Sequence, residues 1–205
     1  SDSLPEVHRK TNLANPSPAT DGERVYAWFG TGQIVALDLK GKPVWQRHLA
    51  KDYGAYAITW GHSSSPTIYG DTLILQCDHD PASYLLALDK QTGKQVWRAD
   101  RGKGLRSYST PTVVSGPQGD ELVVNSSQRL EGYDPKTGKL LWFYDEPNQF
   151  PIHVPSFGGG VIFASRGYRS GPYMAIRPGG RGDIAGTRNL MWHVPTGAPY
   201  VSSLV

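Results

Sequence analysis

A thiol, an imidazole and two carboxylates stand within four positions at Cys77-Asp78-His79-Asp80. These are donor types that hold zinc, and the carboxylates alone suit calcium. A zinc site draws on two such clusters. The sequence offers no second one, so the run reads as a polar loop between two strands. Gly180-x-Gly182-x-x-Ala185 has dinucleotide-loop spacing but does not lie between a strand and a helix, the context that motif requires. Arg181-Gly182-Asp183 is an adhesion-type tripeptide that reads as a coincidence of a Gly- and Arg-rich insertion. Asn125-Ser126-Ser127 is a glycosylation sequon on an expected strand. There is no Gly-x-Ser-x-Gly elbow, and the six histidines pair with no evident nucleophile. No catalytic or metal-binding residue is assigned.

A second set of chemistry-bearing residues lies on long connections: Tyr53, Tyr56, Trp60 and His62, then Arg101, Lys103, Arg106 and Tyr108, then Phe150 and His153. Aromatic rings interleaved with cations suit an extended peptide or a small anionic ligand. Trp60, His62, Arg106, Tyr108 and His153 form the candidate ligand face. The competing reading has Trp60 and the tyrosines packed beneath their own loops, with His62 and His153 as satisfied structural groups.

The elements that carry these loops repeat. Ala87-Leu88-Asp89-Lys90-Gln91-Thr92-Gly93-Lys94-Gln95-Val96-Trp97 contains a strand end, a tight turn and an outgoing strand. Asp89 can accept backbone N–H bonds within the turn. Gly93 can supply a positive φ, and Trp97 has a large ring to bury. A second copy runs from Gly132 and Asp134 through Gly138 to Trp142. A shorter one runs from Ala36 and Asp38 through Gly41 to Trp45, and a worn one from Ala175-Ile176-Arg177 to Trp192. The tryptophans at 45, 97, 142 and 192 recur at intervals of about fifty residues, which is the mark of a repeat architecture. Each copy sits among four short runs of strand-type residues separated by turn signals, with no 3.6-residue periodicity.

The expected organisation is an extended leader at 1–14 and blades at 15–50, 51–98, 99–146 and 147–195. The first strand of a further blade follows at 196–205. Four such sheets do not close a ring, so an incomplete propeller is expected, completed by further blades of a longer chain or by a second copy. The bulk properties agree with a folded, strand-rich chain. The 205 residues are 38% hydrophobic and 19% charged, with 24 glycines and 16 prolines. A net charge of +3 with both signs interspersed is no nucleic-acid signature. A single cysteine forbids an internal disulfide, and no apolar run has membrane-helix length. No signal peptide is seen at Ser1.

The motif Ala-x-Asp-x-x-Thr-Gly-x-x-x-Trp resembles the repeat of quinoprotein-type, BamB-like β-propellers, the PQQ-like repeat family, over nearly the whole chain. The resemblance implies an all-β propeller segment of about four antiparallel blades. It assigns blade docking to Trp45, Trp97, Trp142 and Trp192, with Asp38, Asp89, Asp134, Gly93 and Gly138 shaping the turns. It implies a bacterial periplasmic or extracellular setting. The family includes PQQ dehydrogenases, which hold the quinone with calcium, a stacking Trp and often a vicinal disulfide. One cysteine excludes that disulfide, and no Glu…Asn…Asp constellation is evident, so no cofactor is expected. The preferred function is a non-catalytic scaffold that binds protein or a small ligand. The alternatives are part of a PQQ-dependent oxidoreductase and an extracytoplasmic sensor module. Trp28, outside the motif, is expected to matter less than Trp97.

Overall fold

The computed structural model describes residues 8–80, 82–166 and 168–199. The strand expected at Tyr200–Val205 and the first half of the expected leader lie outside those residues. The chain divides into two compact units, residues 1–105 and 106–205.

The first unit holds two four-stranded antiparallel sheets, each in sequential order. The first sheet is β1 (Ala19–Thr20), β2 (Arg24–Trp28), β3 (Gln33–Asp38) and β4 (Pro43–His48). The second is β5 (Thr67–Tyr69), β6 (Thr72–Cys77), β7 (Tyr84–Asp89) and β8 (Gln95–Asp100). Period-two alternation drives Tyr26, Trp28, Ile34 and Ala36 onto one face, where they meet Leu73, Leu75, Tyr84 and Leu86 of the second sheet in one core. Trp28 is 1% exposed and Trp97 8%, so both rings are buried. The ring of Trp28, at the end of β2, is drawn inward by Tyr56 and His62, an environment the repeat motif does not encode.

Directly after β4, Leu49 opens a five-residue helix, α1 (Leu49–Tyr53). Leu-Ala-Lys is good helix-forming sequence. The Leu49 N–H also donates to the Gly32 carbonyl at 2.7 Å, turning the chain out of the sheet. Residues 8–17 lie on this unit: Gly30 N–H donates to Leu13 O at 2.7 Å, and Ser17 N–H to Ser65 Oγ at 2.9 Å.

The second unit repeats the plan. Its first sheet is β9 (Thr112–Gly116), β10 (Gly119–Asn125), β11 (Arg129–Tyr133) and β12 (Leu140–Asp145). Its second sheet is β13 (Ser156–Gly158), β14 (Val161–Ser165), β15 (Tyr173–Ile176) and the closing strand β17 (Leu190–Val194). The insertion that delays Trp192 contains β16 (Gly182–Asp183), which leaves its own sheet and pairs in parallel with Trp142 and Phe143 of β12. The preceding sheet thus becomes five-stranded, in the order β16-β12-β11-β10-β9.

The turn residues act as their chemistry dictates. Asp89 Oδ1 accepts the backbone N–H of Gln91 at 3.1 Å and of Thr92 at 2.7 Å. The Thr92 hydroxyl bond, with these amides, holds the carboxyl below its usual range. Asp38 receives Lys40 and Lys42 N–H, each at 2.9 Å, and Asp134 receives Lys136 N–H at 2.8 Å. Gly41, Gly93 and Gly138 have φ of 81°, 70° and 72°, where a Cβ is penalised.

Gly93 carries a second constraint. A Cβ there would stand 2.7 Å from Trp45 Cε3, whereas one at Gly41 would meet nothing within 4 Å. Gly41→Ala is therefore expected to cost about 1–2 kcal/mol for the left-handed backbone alone. Gly93→Ala adds about 1–3 kcal/mol of overpacking against the indole. Urea unfolding midpoints of the two variants measure the difference, and equal losses would remove the Trp45 contact as its cause.

Candidate functional site

In the first unit, the indole Nε1 of Trp45 donates to Lys90 O of the neighbouring sheet at 3.0 Å. Arg47 Nη1 reaches Gly93 O at 3.0 Å. In the second unit, Trp142 is fully buried, with Nε1 on Glu121 Oε2 at 2.8 Å, and its ring lies under Gly180 of the insertion. Glu121 Oε1 in turn accepts Gly179 N–H at 2.8 Å. Trp97 is buried, whereas Trp192 is 41% exposed and touches Phe163 and Tyr173 of its own sheet.

Asp78–Asp80 lie in the connection after β6, whereas Cys77 is the last residue of that strand, paired with Tyr84. Asp78 is buried and engaged by Arg101 Nη1 through both carboxylate oxygens, and it also receives Gln76 Nε2 at 2.8 Å. The Arg101 side chain is 2% exposed. This loop cation, read from sequence as available to a ligand, is thus turned inward against a carboxylate. Cys77 is buried against Tyr56 OH at 3.7 Å, and burial pushes its thiol up to about 12.

Tyr56 and His62 are buried as well. His62 lies 3.9 Å from the Trp28 ring, with its Nε2 on Ser64 O at 3.1 Å. Tyr56 lies 4.4 Å from His79. Burial, then the neighbouring His79, drives the His62 pKa down to about 3, and burial lowers that of His79. Trp60 behaves differently: it is 36% exposed and meets the His8 ring at a tilt, with centroids 3.8 Å apart.

The loops of the second unit converge on a side chain the sequence reading passed over. Arg166 is fully buried directly after β14. Nη1 donates to Asn125 Oδ1 at 2.7 Å, and Nη2 donates to Ser126 O at 2.7 Å and Ser127 O at 3.3 Å. The Arg166 carbonyl accepts Asn148 Nδ2. Burial lowers the guanidinium to about 10, against the nearby Glu146 and Glu131 charges. His153 is also buried, and its carbonyl accepts Ser109 Oγ at 2.7 Å and Asn125 Nδ2 at 3.0 Å. Nothing in the local sequence marks Arg166 as a hub, because its partners are mostly backbone carbonyls.

On this scaffold Tyr108, Phe150 and Tyr168 form a half-buried run of rings. The Tyr108 and Phe150 centroids are 6.4 Å apart, and Phe150 meets Tyr168 edge-on at 4.8 Å. Asn148 fixes the Phe150 N–H at 2.8 Å, and Pro151 O accepts the Tyr108 N–H at 3.0 Å. The Arg106 N–H donates to Ser127 Oγ at 3.1 Å. Arg169 lies over Tyr168 at 5.3 Å. Arg169 and Ser170 have φ of 52° and 64°, an unusual pair for residues with side chains. Tyr168 and Arg169 were not identified from sequence; their place within a Gly-Tyr-Arg-Ser-Gly run was the available signal.

Among the described residues, no group of three His, Cys, Asp or Glu side chains is placed to hold a metal ion. Cys77 is the chain's single cysteine. No helix among the described residues is long and apolar enough to cross a membrane.

Comparison with known proteins is consistent with this fold. Residues 7–193 match the family described as outer membrane protein assembly factor BamB. The quinoprotein ethanol dehydrogenase of Pseudomonas aeruginosa is 30% identical over 133 residues, covering 58% of this chain and 20% of that protein. The BamB of Burkholderia pseudomallei is 28% identical over 141 residues, covering 67% of this chain and 34% of its own length. The chain thus spans about a third or less of these relatives. The crystal structure of BamB from Moraxella catarrhalis superposes with a TM-score of 0.60 at 20% identity, over 86% of this chain and 47% of that one.

The buried imidazoles carry a pH dependence. Unfolded, His62 takes a proton below about pH 6.5; folded, it resists protonation down to about pH 3. Its share of stability is therefore full above pH 6.5 and lost as the pH falls. A loss of about 2 kcal/mol is expected at pH 5 from His62 alone. Urea unfolding at pH 7 and pH 5 measures it, and His62→Phe should flatten the dependence.

Proposed function

This chain belongs to the outer membrane protein assembly factor BamB family, and from that membership we propose that it is a non-catalytic binding scaffold of an exported bacterial protein. Its ligand is an extended protein segment. The periplasm is the setting in which a factor for outer-membrane protein assembly would work. The observation that carries the reading is the half-buried run Tyr108–Phe150–Tyr168, with Arg169 over the Tyr168 ring and Arg106 two residues before Tyr108. Aromatic rings and arginines of this kind dominate protein-recognition energetics. The Arg166–Asn125–Asn148 bonds fix the loops beforehand, so little conformational freedom is lost on binding. In the first unit, Trp60 on His8 offers a second exposed aromatic contact.

A PQQ-dependent oxidoreductase is the second reading, supported by the dehydrogenase relatives. The two readings separate in solution. Peptides selected by display against the chain should lose about tenfold in affinity, worth about 1.4 kcal/mol, with Phe150→Ala or Arg106→Ala. Unchanged affinity in both variants would remove the ring run from the function. Titration with PQQ and Ca²⁺ should leave the tryptophan fluorescence without a saturable component; saturable micromolar quenching would favour the oxidoreductase.

A further inference from the structure

Arg169 is the exposed end of the ring run. Its guanidinium lies over the Tyr168 ring, 5.3 Å from the centroid, and no carboxylate among the described residues pairs with it. A guanidinium held over a ring face keeps its planar N–H fork, and that fork matches the two oxygens of a carboxylate. The backbone sets it in place. Arg166 N–H donates to Pro172 O at 2.9 Å and closes the base of the loop. Gly171 lies too close to the Arg166 carbonyl to accept a Cβ. Gly197 N–H reaches both Ser170 O and Ser170 Oγ at 3.2 Å, and Ala198 N–H donates to Gly171 O at 3.1 Å. These bonds hold the left-handed pair Arg169 and Ser170, a conformation that persists only where its surroundings enforce it.

The charge around the rings is mostly of one sign. The connections that carry them, 106–111, 146–155 and 166–172, contain three arginines and one acid. That acid, Glu146, is already engaged, with Oε2 2.9 Å from His193 Nε2. Arg166 is turned inward onto Asn125, Ser126 and Ser127. Of the other two cations, Arg106 is half-buried and Arg169 exposed. A surface of this sign favours a ligand of the opposite one.

We propose that the segment bound on these rings is acidic, and that Arg169 reads one of its Asp or Glu carboxylates beside an apolar residue seated on Phe150 and Tyr168. The inference rests on the peptide-binding reading and adds the chemistry of the ligand. Arg169 then sets specificity, whereas the rings supply contact area.

Display selection against the chain, followed by fluorescence anisotropy of the selected peptides made with amidated C-termini, tests it. The selected sequences are expected to carry Asp or Glu next to an aromatic or aliphatic residue. Replacing that acid by its amide should weaken binding to the parent about tenfold, and less at high salt. In Arg169→Gln the acid and amide peptides should bind alike. Arg169→Lys should restore only part of the difference, because a point charge lacks the fork. Near-UV dichroism like the parent's checks that both variants are folded. Peptides that need Phe150 yet bind equally well as amides overturn this inference and leave the scaffold reading standing. An acid preference that survives Arg169→Gln overturns it too. Peptides indifferent to Phe150→Ala remove the scaffold reading, and this inference with it.

Discussion

The structure depends on a large ring lying across a small residue. In all four sheets the motif tryptophan pairs across its edge with alanine or glycine: Trp45 with Ala36, Trp97 with Ala87, Trp142 with Gly132, and Trp192 with Ala175. In all four the register slips immediately afterwards, so one strand carries an extra residue. A branched side chain opposite the indole would occupy the volume that the ring needs. The tightest case shows why glycine replaces alanine there: a Cβ at Gly132 would stand 2.1 Å from Trp142 Nε1. That ring is fully buried and bonded to Glu121, so it has no room to shift. The small residue and the tryptophan are therefore one unit of design, joined by a short aspartate turn in the first three sheets and by the longer insertion in the fourth.

This explains what could be read from the sequence. The four sheets were legible because strand, turn and indole recur in the same order about every fifty residues and each uses local chemistry: Asp89 caps its own turn, and Gly93 takes its own positive φ. What was missed depends on partners distant in sequence. Trp28 gains its burial from Tyr56 and His62, neither of which belongs to its strand pair. Arg166 is held by Asn125, Ser126 and Ser127, some forty residues away. The candidate face was half legible for the same reason. Its residue types were correct for recognition, but Arg101 faces a buried Asp78, whereas Phe150 gains Tyr168 as a neighbour that no spacing rule announces.

The two units use their loop polarity differently. The first buries a bidentate ion pair and two neutral imidazoles, groups whose removal from water is costly unless their partners are fixed. The second buries the Arg166 guanidinium against the Asn125 side chain and two carbonyl oxygens, which a planar multi-donor group can engage from several directions at once. Both arrangements tie side chains of the connecting loops to fixed partners. The exposed rings therefore stand on fixed supports.

The parallel addition of Gly182–Asp183 to β12 has a consequence for behaviour in a crowded compartment. An outermost strand with free amides and carbonyls is a template on which foreign chains can extend a sheet, the first step toward fibrils and precipitates. Here the polypeptide spends its own insertion on that exposed rim, with Ile184 N–H donating to Phe143 O at 3.0 Å to secure it. The extra residues before Trp192 thus act as a built-in guard against misassembly, placed on the sheet before the one in which they are encoded.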